Sequence, residues 1–209
     1  MPELEITQDN IDEMIESLKV KKRIVLEIGF GGGENLLNMI EGDEESYYIG
    51  CEPYLNGMTN FLINLDTKYY EIVKVFKNDV RVLLHHVPKS FFNKIFILFP
   101  DPWPKERHRK RKMINKENAE LIIDKLKNKG KVYLATDVEK YFFEMVDVFN
   151  KLQNVCIINK ENFRLRPNSI VSTRYERKAI EKKKTAFFFS SKKKSGLKRK
   201  NILIYLFPL

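Results

Sequence analysis

The chain has 209 residues, 43% of them hydrophobic and 32% charged, with a formal net charge of +10. These proportions suit one soluble domain with an ordinary core, or one domain plus a small extension. They exclude a membrane-spanning chain, because no apolar run approaches the ~20 residues that a span needs.

The start, "MPELEITQDNIDEMIESL", is acidic and amphipathic, unlike a secretory signal or a transit peptide. Alternating strand and helix patterns follow from residue 24. "RIVLEIGF" is an apolar run ending in glycines, and "ENLLNMIEG" continues with helical spacing to Gly42. "YYIGCEP" is a strand stopped by Pro53, and "NGMTNFLINLDTKYY" a helix. "EIVKVFKND" is a third strand, "VRVLLHHV" a short helix and "KIFILFP" a fourth strand. That fourth strand is almost wholly apolar, as expected where both faces of a parallel sheet are covered. Asn115 is a good N-cap for the helix "KENAELIIDKLKNKG", which Gly130 ends. "KVYLATD" is a fifth strand, "VEKYFFEMVDVFNKL" a helix, "NVCIIN" a sixth strand and "AFFFSS" a seventh.

The alternation predicts an α/β fold: a Rossmann-like, doubly wound, mostly parallel seven-stranded sheet with helices on both faces. Such sheets bind ligands above the carboxyl ends of their strands, where strand order reverses. Residues 1–191 form this domain, and residues 192–209 a basic, apolar tail. Cys51 and Cys156 lie in apolar segments with no Cys/His cluster nearby. They read as reduced core thiols of a cytoplasmic protein, with no metal site.

The positive charge is localised. From Lys182 onward there are nine Lys/Arg and no acid, and residues 105–112 add six bases against Glu106 alone. Two basic foci on a slightly acidic body fit a polyanion docking on one side. For residues 182–200 a solvated tail explains the charge equally well.

The loop after the first predicted strand runs Gly29-Phe30-Gly31-Gly32-Gly33-Glu34. A dinucleotide fingerprint needs a third glycine where Glu34 stands. An acid at a helix N-terminus repels a diphosphate that would otherwise use the positive dipole end. Glycines that admit close approach, together with acids, suit a cationic ligand containing adenosine, and S-adenosylmethionine fits. Glu27 lies near the end of the first strand. Glu52 ends the second strand, 25 residues later, about where such folds keep an acid for ribose hydroxyls. Asp79 ends the third and is placed to meet the adenine edge. Each acid alone reads more readily as a strand-end residue, Glu27 and Glu52 paired with surface lysines; together with Gly29 and Gly31 they favour a methyl-donor site.

After the fourth strand comes "FPDPWPKERHRKRK". Residues preceding proline are pushed out of the helical region, and each proline fixes its own φ. Phe99, Asp101 and Trp103 are therefore expected in extended conformation, in a stiff loop that aims Asp101 into the crevice. Trp103 either packs the loop down or stacks on a nucleobase. Lys105, Arg107, Arg109, Lys110, Arg111 and Lys112 would line the rim, where they position phosphates without reading sequence.

"LEIGFGGGEN", "IGCEP", "FPDPWPKERHRKRK", "ATD" and "STRYERK" occur in an order and spacing that resembles the tRNA (guanine-N7-)-methyltransferases, from about residue 20 to residue 190. The F-P-D-P-W-P-K stretch is specific to that family; the glycine loop is shared by many methyltransferases. The resemblance implies methyl transfer from S-adenosylmethionine to N7 of a variable-loop guanine in tRNA. It implies that Glu27, Glu52, Asp79 and Asp101 contact cofactor or reaction centre, with Asp101 catalytic. It further implies that Lys105, Asp137, Thr173, Arg174, Tyr175 and Glu176 bind substrate. Arg107, His108, Arg109, Lys110, Arg111 and Lys112 would touch RNA, with no metal and no membrane involved. Read without the resemblance, Thr173–Glu176 is a polar loop before the last strand. Two rivals stand beside this reading: a methyltransferase of the same fold acting on an amine, and a non-catalytic RNA-binding protein. Tryptophan in "DPWP", where amine-methylating relatives place a second proline, weighs against the first; the intact set of acids weighs against the second. The apolar end "ILIYLFPL" is too short to span a bilayer.

Overall fold

The structure is a computed structural model that describes residues 4–195. The expectations for the tail beyond residue 195 lie outside these residues. Among them, eight strands form one sheet in the order β1 (Glu5–Ile6), β4 (Val73–Phe76), β3 (Tyr47–Cys51), β2 (Ile24–Ile28), β5 (Phe92–Leu98), β6 (Leu126–Thr136), β8 (Phe187–Lys193), β7 (Val155–Ile157). β2 (Ile24–Ile28) is central, pairing in parallel with β3 (Tyr47–Cys51) on one side and β5 (Phe92–Leu98) on the other. β4 (Val73–Phe76) and β6 (Leu126–Thr136) continue the parallel run. β8 (Phe187–Lys193) is antiparallel to both β6 and the edge strand β7 (Val155–Ile157). Strand order reverses at β2, so the crevice above the carboxyl ends of β2 and β5 is the expected ligand position.

Apolar side chains of the parallel strands point alternately to two cores. One packs α1 (Ile11–Leu18), α4 (Val80–His86), α5 (Lys116–Lys125) and α6 (Glu139–Asn150) through Ile15, Leu83, Ile122 and Met145. The other packs α2 (Glu34–Gly42) and α3 (Leu55–Asn64) through Leu36, Met58 and Phe61. Helices thus cover both faces, as the apolar strand runs require.

Six expectations are corrected. The sheet has an eighth strand, β1 (Glu5–Ile6), whose two residues are too short to show alternation. The helix expected to reach Tyr70 ends at Asn64, because Leu65 is extended and Asp66 caps a separate 3-10 turn over Thr67–Ile72. α5 stops at Lys125, not at Gly130: Leu126 is drawn into the sheet opposite Phe92, and Gly130 lies inside β6. Cys51 is buried, but Cys156 is exposed on the edge strand. β8 continues through Lys193, so the expected boundary after residue 191 falls inside a strand. Arg174–Glu181 form a helix, α7, where the polar sequence reads as a loop.

Candidate active site

The cleft lies where the topology places it. Gly29, Gly31 and Gly33 all have positive φ, at 68°, 59° and 85°, which an L side chain rarely adopts. The loop they form leads directly into α2, with Gly33 at the N-cap. Glu52, 4% exposed, holds the loop from the end of β3. One carboxylate oxygen accepts from the Gly31 N–H at 2.8 Å and the other from the Tyr54 N–H at 2.9 Å. Each oxygen retains a second acceptor direction. Opposite the loop, Gly57 of α3 comes so close that a Cβ there would lie 2.4 Å from the Gly31 carbonyl oxygen.

Gly29, Gly31, Glu52, Asp79 and Asp101 line one cleft of about 830 Å³, within the range usual for small-ligand sites. Its floor is apolar, from Ile28, Cys51, Val80, Ile97 and Leu98, and Lys110, Arg111, Arg174 and Tyr175 stand around it. Asp79 caps α4 by accepting from the Arg81 N–H at 2.9 Å. The Arg81 guanidinium hydrogen-bonded to it holds its carboxyl below the usual range, so it is a firm anion at neutral pH.

The proline loop is turned rather than extended. Phe99 and Trp103 have φ of 53° and 41°, which corrects the expectation that both would be extended. The Phe99 N–H donates to the Ala135 carbonyl at 2.8 Å, continuing the β5–β6 ladder up to the start of the loop. The Trp103 ring packs edge-on against His108 at 5.4 Å, with the Arg111 guanidinium 4.9 Å above it. Trp103 thus packs within the loop and also lines the cleft. Asp101 is exposed at the mouth of the cleft.

The remaining candidates are not all at the cleft surface. Glu27 is 2% exposed, behind the glycine loop, and does not line the cleft; burial pushes its carboxyl up to about 8. Lys105 and Arg107 are exposed outside the cleft lining, and His108 and Arg109 fall in the 3-10 turn over Glu106–Arg111. Lys112 turns away from solvent to pair with Glu144 and cover the Tyr141 ring. Asp137 pairs with Lys184 at 2.9 Å. Thr173 caps α7 by accepting from the Glu176 N–H at 3.3 Å. Glu176 is buried, with Arg166 at 3.7 Å, and its Oε2 has no hydrogen-bond partner. Tyr54 and Arg81 also line the cleft and were not singled out from the sequence. An aromatic directly after a strand-ending "EP" was a usable signal for Tyr54; Arg81, inside a helix pattern, had none. Among the described residues no group of His, Cys, Asp and Glu could hold a metal ion.

This donor set fits S-adenosylmethionine. Acids stand where a diphosphate ligand would need donors, glycine backbone replaces side-chain bulk, and the floor is apolar enough for an adenine ring.

A crevice at the switch point of a doubly wound sheet, built from a glycine loop and strand-end acids, is the arrangement of a class I methyltransferase. The family model described as "Putative methyltransferase" matches residues 21–189, and the chain belongs to this family. It is 36% identical over 165 residues to a "Bifunctional methyltransferase" of Rickettsia conorii (strain ATCC VR-613 / Malish 7), covering 79% of this chain and 32% of that protein. The chain thus spans about a third of the length of that relative. It is 35% identical over 175 residues to the "tRNA (guanine-N(7)-)-methyltransferase" of Wolbachia pipientis wMel, covering 84% of this chain and 76% of that one. A solved rRNA methylase from Streptococcus thermophilus has the same fold, with a TM-score of 0.56 at 13% identity over 88% of this chain and 94% of that one.

Proposed function

We propose that this chain transfers a methyl group from S-adenosylmethionine to N7 of a variable-loop guanine in tRNA, in the cytoplasm. The observation that carries this reading is the single cleft shared by the Glu52-braced glycine loop and Asp101, rimmed by Lys110 and Arg111. The name of the Wolbachia pipientis wMel relative points the same way. Among the described residues no helix is long and apolar enough to cross a membrane.

When bound, S-adenosylmethionine supplies an electrophilic methyl group on a sulfonium. Glu52 accepts the ribose hydroxyls with its free acceptor directions, and Asp79 meets the adenine edge. Glu27 acts from behind the loop as a buried carboxyl. Guanine N7 carries an in-plane lone pair, so no proton leaves before it attacks and no histidine base is required. Asp101 orients the guanine by accepting from its N–H donors, and the reaction gains through proximity and alignment. The alkylated ring becomes positive, which Asp101 also stabilises. Arg174 and Tyr175 close over the base, and Lys105, Arg107, Lys110 and Arg111 hold the phosphates.

Methyl transfer to unmodified tRNA tests the reading, and variants of Asp101 test its role. Asp101→Ala is expected to lower kcat by about 10–100-fold, the loss of one charged hydrogen bond. Asp101→Asn keeps the shape and one acceptor, so it is expected to recover most of that loss, with cofactor Kd unchanged in both. Asp101→Asn as inactive as Asp101→Ala, with cofactor bound normally, would contradict an orienting role and show that the negative charge of Asp101 carries the effect.

A further inference from the structure

We propose that Asn35 is a positioning residue that sets α7 over the active cleft, by joining strand β2 to the backbone that leads into α7. The proposal rests on the reading of α7 as the substrate clamp of a tRNA methyltransferase.

Asn35 is the second residue of α2 and is 1% exposed, although asparagine carries two donors and two acceptor directions. Both ends of its amide are used. Its Nδ2 donates to Glu27 Oε2 at 3.0 Å, and its Oδ1 accepts from the Val171 N–H at 3.2 Å, across 136 residues of chain. A buried amide so placed has one orientation only, since flipping it would oppose donor to donor at Val171. Glu27, with its pKa raised to about 8 by burial, is protonated at neutral pH, and the bridge runs between neutral groups.

Val171 stands two residues before Thr173, the cap of α7. The preceding Ile170 is buried in the core beneath α2 and α3. Fixing the Val171 N–H therefore fixes where α7 begins. From there Arg174 and Tyr175 reach back over the glycine loop: a Cβ on Gly31 would lie 3.0 Å from the Tyr175 ring, and one on Gly32 would lie 3.2 Å from the Arg174 guanidinium. Glu34, the residue before Asn35, sits 3.9 Å from both Arg174 and Arg177. The first two residues of α2 thus hold α7 together, Glu34 by charge at the surface and Asn35 by hydrogen bonds beneath it. The charge pairs are half-exposed and long, so they contribute little register. Asn35 supplies it.

Hydrogen exchange and steady-state kinetics of the full chain test this. In Asn35→Ala, exchange at the Val171 to Arg177 amides is expected to rise by about 10-fold or more, with β2 and β5 unchanged. The KM for unmodified tRNA is expected to rise about 10-fold, while the Kd for S-adenosylmethionine moves less than about threefold. Asn35→Asp keeps the acceptor for Val171 and, at pH 6, accepts from the protonated Glu27; it is expected to restore protection and most of the KM. It also serves if the alanine variant does not fold. Unchanged exchange at Val171 to Arg177 would overturn the proposal, as would loss of protection spread evenly over β2 and β5. If wild type transfers no methyl to tRNA, the clamp reading fails and exchange alone still decides whether Asn35 holds α7.

Discussion

Gly57→Ala is expected to weaken S-adenosylmethionine binding by on the order of 100-fold while leaving a folded protein. Gly57 lies within α3, where alanine normally favours a helix by about 0.8–1 kcal/mol. Here the added Cβ would fall 2.4 Å from the Gly31 carbonyl oxygen and 3.1 Å from the Glu52 side chain. A backbone oxygen cannot rotate away, so either α3 moves outward or the glycine loop moves with Glu52. Overpacking of this kind costs about 1–3 kcal/mol, which exceeds the helix gain. The larger effect is on the site, because the loop and Glu52 are one hydrogen-bonded unit and a displacement of about 1 Å costs on the order of 100-fold. Calorimetric titration with S-adenosylmethionine and a thermal melt check both parts. Wild-type affinity in this variant would mean that the ligand does not sit between Gly31, Glu52 and α3.

The second large effect is a pH dependence centred on Glu27. Its carboxyl ionises near 4.5 when unfolded and at about 8 when folded, chiefly because burial between β3 and β5 strips its water. Below 4.5 both states hold the proton and the group contributes no slope. Between 4.5 and about 8 only the folded state holds it, so the unfolded state binds fewer protons and stability falls as pH rises. The slope is about 1.4 kcal/mol per pH unit, several kcal/mol in all, and it vanishes above about 8. Glu27→Gln keeps an oxygen for the Asn35 amide and removes the titration. Denaturant midpoints measured from pH 5 to 8.5 are expected to fall in wild type and stay level in the variant, which becomes the more stable of the two at the alkaline end. Parallel profiles would show that Glu27 is ionised in the fold.

The parts of the molecule legible in its sequence are those where local pattern and tertiary demand coincide. "RIVLEIGF" and "KIFILFP" are strands covered on both faces, so hydrophobicity alone marks them. The glycine loop announces itself because only glycine takes three positive-φ positions so close together. Other features depend on partners far along the chain. Local proline rules predict an extended loop at residues 99–104, yet Phe99 and Trp103 take positive φ, with Trp103 packed against His108 and Arg111. Leu126 reads as helix and is taken by the sheet. α7, "RYERKAIE", is amphipathic but has only three apolar residues, Tyr175, Ala179 and Ile180, so its polarity reads as loop; its other sequence signal is the Thr173 cap. The acids at strand ends were found as a set, but Glu27 turned out to face Asn35 instead of the cleft. Period and composition carry no information on which side of a glycine loop a carboxylate lies. Asn35 itself, one residue after Glu34 at a helix start, looks like any polar first-turn residue until Val171 is brought against it.

The measurement that tests the central claim most directly is transfer of a labelled methyl group from S-adenosylmethionine to unmodified tRNA, followed by cleavage selective for N7-methylguanine. The expected result is one strand break at a variable-loop guanine, with label in that fragment. Label in the tRNA without that break, or no label from folded protein that binds S-adenosylmethionine, would contradict the assignment. The first outcome would move the chemistry to another base atom, and the second would leave an RNA-binding protein that holds the cofactor without turning over.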